Sequence, residues 1–179
     1  ERFLNDKLGY VSQKAVIFNG TIKSNVAYGE NGKGEITDKK IKEAVNIAQA
    51  TEFVEKMDGI YNASIAQGGT NVSGGQKQRL SIARAIARNP EIYIFDDSFS
   101  ALDYKTDTVL RRELKKYTKE ATILIVAQRV GTIINADKIV VLDNGKIVGL
   151  GTHKELLKNC EVYQQIATSQ LSKEELENG

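Results

Sequence analysis

Two strand-like runs in this chain are apolar on both faces, and this pattern limits its possible folds more than any other feature. They cover residues 92–95 and Thr122–Val126, and a stretch with helical spacing of apolar residues precedes each of them. Such strands are buried on both sides, and their alternation with helices indicates a parallel sheet between helical layers. A shorter run at residues 8–12 adds a first strand, and a helix-rich insertion separates it from residue 92. The sequence therefore predicts an α/β fold with a parallel core.

Capping and turn signals mark where the other elements begin and end. Ser73 can cap a helix that Pro90 stops, while Asn144 and Gly145 form a strong hairpin turn signal. Residues 59–73 are rich in Gly, Asn and Ser, which predicts a loop. Apolar spacing predicts a short helix within 19–29 and a second one that Thr37 or Asp38 caps and that reaches Ala48. Further helices are predicted at 51–57, 74–88, 104–118, 129–136 and from 153 onward. The hairpin strands are predicted at 138–142 and 146–150.

The composition fits one soluble globular domain. The chain has 179 residues, of which 41% are hydrophobic and 27% charged, and its formal net charge is +2. This balance argues against nucleic acid or an anionic membrane surface as a partner. Cys160 is the only cysteine and His153 the only histidine, which excludes a disulfide framework and argues against a His-rich metal site. The apolar runs are too short to span a membrane, and no signal peptide pattern opens the chain. Because a strand follows Glu1 almost at once, we expect a cut inside a larger protein.

Residues 72–79 (VSGGQKQR) combine a helix cap, two glycines and a helix start. Ser73 can cap the helix, and Gly74 and Gly75 let a ligand approach the backbone. The first helical turn offers free N–H groups at the positive end of the helix dipole, which suits a phosphate group. Taken alone, the same residues also fit an ordinary capped helix after a glycine turn.

Residues 92–97 (IYIFDD) place two carboxylates directly after an apolar strand. The carboxyl ends of parallel strands are where α/β sheets bind ligands, so Asp96 and Asp97 are candidate site residues. The alternative is a buried strand that simply runs into an acidic turn.

In order and spacing, these motifs resemble those of the nucleotide-binding domain of exporter-type ABC transporters. The matching stretches are residues 10–13 (Q-loop), 20–29, 72–79 (signature motif), 92–97 (Walker B), 98–103 (D-loop) and 125–130 (switch loop). The resemblance reaches about residue 168 and implies a P-loop NTPase-like parallel sheet with an inserted helical subdomain. The domain would cover residues 1–170, with the helical subdomain at about 20–90 and a polar tail at 171–179. Its N-terminal part, with the Walker A loop, would be absent.

A Gly-Lys pair at residues 32–33 does not supply the absent loop. A phosphate-binding loop needs four residues between its first glycine and that pair, followed by Ser or Thr. Here two residues separate Gly29 from the pair, and Gly34 stands in place of the hydroxyl. We therefore interpret residues 29–35 as a surface loop.

The resemblance implies the residues of the chain's own ATP site. Asp96 and Gln13 would serve Mg²⁺, and Gln13 would also contact the attacking water. Asp97 and Gln128 would stand at the two catalytic positions. The cofactors implied are therefore ATP and Mg²⁺.

The resemblance also implies a site completed between two domains. The residues expected to hold the γ-phosphate of an ATP on a second nucleotide-binding domain are Ser73, Gly74, Gly75 and Gln76. Asp103, in the D-loop, would face that partner, which could be identical or different. The other expected partner is a transmembrane domain, with this chain at the cytoplasmic face of the membrane.

The sequence departs from the family at both catalytic positions. Asp97 stands where the family usually has Glu, and Gln128 stands where it usually has His. Gln67 replaces a Glu that exporters often carry before the signature motif. We interpret these changes as a degenerate site in one half of a heterodimeric exporter, and drift within a working ATPase is the alternative.

Three functions remain open at this point. The first is an ATP-driven exporter domain, and the second is a regulatory module that binds nucleotide without useful turnover. The third is a soluble ABC ATPase that acts on nucleic acid, against which the near-neutral charge and residues 20–29 both count. In each case we expect this chain alone to bind ATP poorly, to be inactive and to expose an apolar sheet edge.

Overall fold

The computed structural model describes residues 6–29 and 34–171. They divide into two compact units, one ending at Val126 and the other beginning at Ala127. The Gly-Lys pair at 32–33 and residues 172–179 of the expected tail lie outside the described residues. Within the described ranges, no helix has the length and apolar character needed to cross a membrane.

The first unit is an α/β structure built on a parallel sheet. In chain order its strands and α-helices are β1 (Leu8–Val11), β2 (Gly20–Thr21), α1 (Ile22–Val26), α2 (Asp38–Ile47), α3 (Thr51–Glu55), β3 (Ser64–Ile65), α4 (Gly74–Arg88), β4 (Ile92–Asp96), α5 (Tyr104–Tyr117) and β5 (Thr122–Val126). The parallel sheet has the order β1-β4-β5, and β2 pairs with β3 in an antiparallel ribbon. The predicted α/β class and the helical insertion between β1 and β4 are confirmed.

The described residues cover the parallel sheet on one face only. Tyr93 and Phe95 are fully buried, and they share one core with apolar side chains of α4 and α5. On the opposite face, Tyr10, Leu124 and Val126 are 58%, 54% and 52% exposed. The expectation of cover on both faces is therefore wrong for the described residues, because α4 and α5 both pack toward the side of Tyr93.

Helix α4 forms between the residues predicted to bound it. Ser73 and Gln76 make a capping box, in which each side chain accepts a hydrogen bond from the other residue's backbone N–H. Asn89 ends the helix with a left-handed φ of 47°, and Pro90 cannot continue it. The buried side of the helix carries Leu80, Ser81, Ile82, Ala83, Ala85, Ile86 and Ala87.

Arg84, on α4, fixes the segment that follows β1. Its guanidinium donates to the carbonyl oxygens of Asn25 at 2.8 Å and Val16 at 2.9 Å. The same group lies over the rings of Phe18 and Tyr28, at 5.0 and 5.6 Å from the ring centroids. Hydrogen bonds and cation–π contacts together therefore join this segment to the helix.

Residues 59–73, predicted as a loop, contain short ordered elements. Two 3₁₀ turns cover Ile60–Asn62 and Gln67–Gly69, and β3 lies between them. The side chain of Asn71 donates to the carbonyl of Ser64 at 2.8 Å and accepts from the N–H of Ala66 at 3.0 Å. These two local bonds from one side chain, which composition does not reveal, order the segment before α4.

The second unit is a hairpin followed by helices. Its elements are α6 (Val130–Ile133), β6 (Ile139–Asp143), β7 (Lys146–Gly151), α7 (His153–Asn159) and α8 (Glu161–Gln170). Strands β6 and β7 are antiparallel, and positive φ angles at Asn144 (47°) and Gly145 (75°) make the predicted turn. The predicted C-terminal helix is divided at Cys160, whose backbone is extended.

His153 is buried in the core of the second unit. It is 3% exposed, and its Nδ1 shares a 2.7 Å hydrogen bond with the hydroxyl of Tyr163. Among the described residues, its Nε2 has no hydrogen-bond partner. Burial, together with the charge of Lys154, lowers the pKa of His153, so the folded unit favours the neutral ring.

We expect the free energy of unfolding to fall as the pH drops below 6.5, the ordinary pKa of a histidine. Because folding lowers the pKa of His153, the unfolded chain takes up the proton first. The contribution of this residue is therefore complete above 6.5 and is lost as the pH falls through the folded-state pKa. Urea unfolding between about pH 7.5 and pH 5 measures the change. His153→Gln removes the titrating ring and should flatten the profile, and an unchanged slope in that variant would contradict the prediction.

Candidate functional site

The parallel pairing of β1 and β4 brings two sequence motifs to one edge of the sheet. Val11 lies opposite Phe95 in the register, so the residues that follow each strand emerge side by side. The side-chain Nε2 of Gln13 donates to Oδ2 of Asp97 at 3.0 Å. The structure therefore brings together two of the residues implied for catalysis, at the carboxyl edge where α/β sheets bind ligands.

Asp96 has a partner from β1 that sequence analysis did not identify. The hydroxyl of Tyr10 donates to Oδ2 of Asp96 at 3.0 Å. This hydrogen bond, with burial and the charge of Asp96 adding to it, raises the pKa of the Tyr10 hydroxyl. Strand periodicity places Ile94 and Asp96 on the same face of β4. The pair also depends on the register, in which Tyr10 lies opposite Ile94, and periodicity does not reveal that register.

Asp97 has a left-handed backbone, with φ of 44°. Its N–H donates to the carbonyl of Val126 at 2.8 Å, and its own carbonyl accepts from the hydroxyl of Ser100 at 2.8 Å. These bonds hold a conformation that Asp and Asn adopt more readily than most residues. The backbone therefore suits the aspartate found here.

The donor set at this edge fits Mg²⁺. This ion binds proteins through one or two carboxylates and completes its shell with water and phosphate oxygens. Asp96 offers a carboxylate, and Gln13 offers its amide oxygen because its Nε2 is the atom that meets Asp97. Among the described residues no group of three or more His, Cys, Asp or Glu could hold a metal ion. These two oxygen donors fit an ion that fills the rest of its shell with other ligands.

The glycine-rich start of α4 is open on one side and close to the D-loop on the other. Apart from its chain neighbours and the backbone of its own helix, none of the described residues has an atom within 4 Å of where a Cβ on Gly74 would be, so a ligand can approach the backbone there. A Cβ on Gly75 would lie 3.4 Å from the carbonyl oxygen of Ala101. The side-chain oxygens of Ser73 and Gln76 accept hydrogen bonds as caps, which leaves the serine O–H, the glutamine NH₂ and backbone N–H groups to donate to an anion.

Asp103 caps helix α5. Its Oδ1 accepts from the N–H of Thr106 at 3.0 Å, and this bond lowers the pKa of the Asp103 carboxyl. The hydrogen bond thereby fixes the carboxylate at the point where the D-loop ends and α5 begins. The cap is a structural role in this chain, alongside the partner-facing role that the resemblance implies.

Gln128 lies in the second unit, just before α6. Its side chain is exposed, and its backbone carbonyl accepts from Nε2 of Gln170 at 2.8 Å. Gln170 also binds the N–H of Val130 through Oε1 at 2.8 Å. Helix α8 therefore orders the switch segment within this unit. Gln67 is also exposed, in the second 3₁₀ turn of the first unit.

Asp97→Ala should lower the free energy of unfolding by about 1 kcal/mol more than Asp97→Asn does. Alanine tolerates the left-handed backbone poorly and cannot accept the hydrogen bond from Gln13, whereas asparagine keeps both features. Urea unfolding of the two variants beside the unsubstituted chain measures the difference. Equal destabilisation by the two substitutions would contradict this account of the site.

Comparison with known proteins places these features in a family. A family model described as ABC transporter matches residues 1–100 of the chain. An uncharacterized ABC transporter ATP-binding protein of Mycobacterium bovis is 46% identical over 163 residues, which cover 91% of this chain and 28% of that protein. ATP-binding cassette sub-family B member 5 of Homo sapiens is 42% identical over 169 residues, which cover 94% of this chain and 13% of the human protein. The chain thus spans less than a third of the length of either relative.

A solved structure shares the fold. The structure of a bacterial Atm1-family ABC exporter with ATP bound matches 95% of this chain, with a TM-score of 0.88 and 32% identity, and the match covers 30% of the exporter chain. The family model alone accounts for more than half of the 179 residues. On these grounds, the chain belongs to the ABC transporter family.

Proposed function

We propose that this chain is part of the ATP-binding and ATP-hydrolysing domain of an ABC exporter and forms the degenerate-site half of a heterodimer. The observation that carries the proposal is the contact between Gln13 and Asp97, beside Asp96, at the carboxyl edge of a parallel sheet. In this family, ATP binding clamps two nucleotide-binding domains together and hydrolysis releases them. The transported substrate would be chosen by the membrane part of the exporter.

The chain's own site would bind nucleotide but hydrolyse it weakly. Asp96 and Gln13 would hold Mg²⁺, which when bound neutralises charge on the phosphates. Asp97 stands where a base must accept the proton of the attacking water, and its side chain is shorter than glutamate by about 1.5 Å. Gln128 can donate a hydrogen bond to a γ-phosphate but cannot carry a proton. The short side chain of Asp97 and the missing proton carrier at Gln128 would both slow the attack of water on the γ-phosphate.

The start of α4 would complete the site of the partner domain. Ser73, Gly74, Gly75 and Gln76 keep the family's signature sequence, and the open side of Gly74 supports approach of a phosphate. Asp103, in the D-loop, would lie toward the same partner. A chain with a weak site of its own and an intact signature motif is suited to assist hydrolysis on the other subunit.

The surface after the Q-loop supports contact with a transmembrane domain at the cytoplasmic face of the membrane. The rings of Phe18 and Tyr28 pack against each other in a tilted geometry with their centroids 4.4 Å apart, and the two residues are 39% and 54% exposed. Val16, nearby in the chain, is 52% exposed. Because Arg84 fixes this segment to α4, the exposed apolar surface is rigid enough to pass motion between Gln13 and a membrane partner.

A regulatory module that binds nucleotide without useful turnover is the second candidate. The observation in its favour is that both catalytic positions, Asp97 and Gln128, depart from the family together. Such a module would gain turnover from restored catalytic residues but would not drive transport in membrane vesicles. An exporter half would show ATP-dependent transport with its partner present.

Asp97→Glu combined with Gln128→His should raise turnover at the chain's own site at least about tenfold, because a reaching base and a proton carrier are restored. The measurement is ATP hydrolysis by the assembled exporter in which the partner's own site has been inactivated. Asp97→Asn with Gln128→His is the matched control and should stay slow. Fast turnover without any substitution, lost in Asp97→Ala, would contradict the degenerate site.

This chain alone should show no saturable ATP binding by calorimetry at micromolar protein. Its 179 residues contain no loop of the Walker A spacing to cradle the β-phosphate. A melting transition recorded on the same sample would establish that the chain is folded. Tight, saturable binding to the folded chain would refute the prediction.

A further inference from the structure

The turn between β1 and Gln13 is held by two buried side chains. Oγ of Ser98 donates to the carbonyl of Val11 at 2.6 Å, and Ser98 is fully buried. Nε2 of Gln78 donates to the carbonyl of Ser12 at 3.1 Å, and Gln78 is 1% exposed. Two consecutive carbonyl groups, directly before Gln13, are thus bound by side chains from two other parts of the sequence.

Both donors are themselves fixed in place. Gln78 lies on α4, and Ser98 follows β4 by two residues, so neither belongs to the turn that it holds. A buried donor that loses its acceptor is costly, which makes each contact a strong constraint on the backbone. Within the turn, the hydroxyl of Ser12 donates to the carbonyl of Lys14 at 2.8 Å, which adds a local hydrogen bond across Gln13.

Gln13 depends on this anchoring because its own side chain is exposed. An exposed glutamine has several rotatable bonds and loses conformational freedom when it binds at one place. Its amide nevertheless contacts Asp97 at 3.0 Å, which requires that the backbone of Gln13 be held in place. The hydrogen bonds to the carbonyl groups of Val11 and Ser12 hold that backbone.

We propose that Gln78 and Ser98 are positioning residues that act through Gln13, fixing the backbone from which its amide reaches Asp97. The effect on hydrolysis rests on the proposed function, whereas the effect on the position of Gln13 does not. Gln78 shares α4 with Ser73, so the helix that begins at the signature motif also sets the place of Gln13.

The first test measures Gln13 directly, by NMR of the 179-residue chain. Gln78→Met and Ser98→Ala each remove one donor with little change of shape. Each should speed solvent exchange of the Gln13 side-chain amide protons at least about fivefold, the equivalent of one lost hydrogen bond. Thr118→Val is the matched control, since it removes a buried hydroxyl that donates to the carbonyl of Leu114 at 2.8 Å, on α5. It should leave the Gln13 signals unchanged.

Melting temperatures establish which variants are folded. If Ser98→Ala does not fold, Ser98→Cys takes its place, because a thiol fills the position of the hydroxyl and is a weaker donor. Exchange at Gln13 that stays within twofold of the unsubstituted chain in the folded variants of both positions would overturn the proposal. A change of the same size in Thr118→Val would also overturn it, because the effect would then be general loosening.

The second test separates the positioning role from the proposed function. In the assembled exporter whose partner site has been inactivated, so that only the chain's own site turns over, Gln78→Met should lower kcat about fivefold with little change in KM for ATP. It should have no further effect when Gln13→Ala is already present. Additive effects of the two substitutions would overturn the positioning role in hydrolysis. If Gln13→Ala leaves kcat unchanged while the NMR result holds, the proposed function of Gln13 fails and the anchoring stands.

Discussion

The register between β1 and β4 is the constraint on which the candidate site depends. Val11 lies opposite Phe95, and Gln13 and Asp97 each follow those residues by two positions. A slip of one residue would move one strand by about 3.3 Å and turn its side chains to the other face. The 3.0 Å contact between Gln13 and Asp97 could not survive such a shift. Burial of Tyr93 and Phe95 in the core secures the register, so packing on one face of the sheet fixes the chemistry at its edge.

Helix α4 links the site to the rest of the first unit. Its start carries Ser73 and the open glycine backbone, Gln78 reaches the carbonyl before Gln13, and Arg84 binds the segment beyond it. These three side chains belong to one helix, which therefore contacts both the Q-loop and the segment of Phe18. A single helix thus contacts every region for which a partner is proposed.

The sequence predicts best where local chemistry decides the structure. Helix α4 is predicted to the residue because Ser73 caps it and Pro90 follows its end, and β5 is predicted equally well. The contact of Tyr10 with Asp96 spans 86 residues and that of Gln78 with Ser12 spans 66, so both need the register and the helix packing. The sequence does not predict the open face of the sheet for a similar reason, because an apolar strand does not reveal which of its faces a helix covers.

The aspartate at position 97 is better understood from its backbone than from its side chain alone. Bonds to Val126 and Ser100 hold this residue at a φ of 44°, where a short polar side chain is favoured. From that backbone, the aspartate carboxylate already meets the amide of Gln13 at 3.0 Å. A longer acid at the same φ would place its carboxylate about 1.5 Å farther out and would have to choose a different contact. The weak hydrolysis proposed for this site would therefore have three sources, which are the residue type, the backbone conformation and the contact with Gln13, and all three arise where β4 passes into the D-loop.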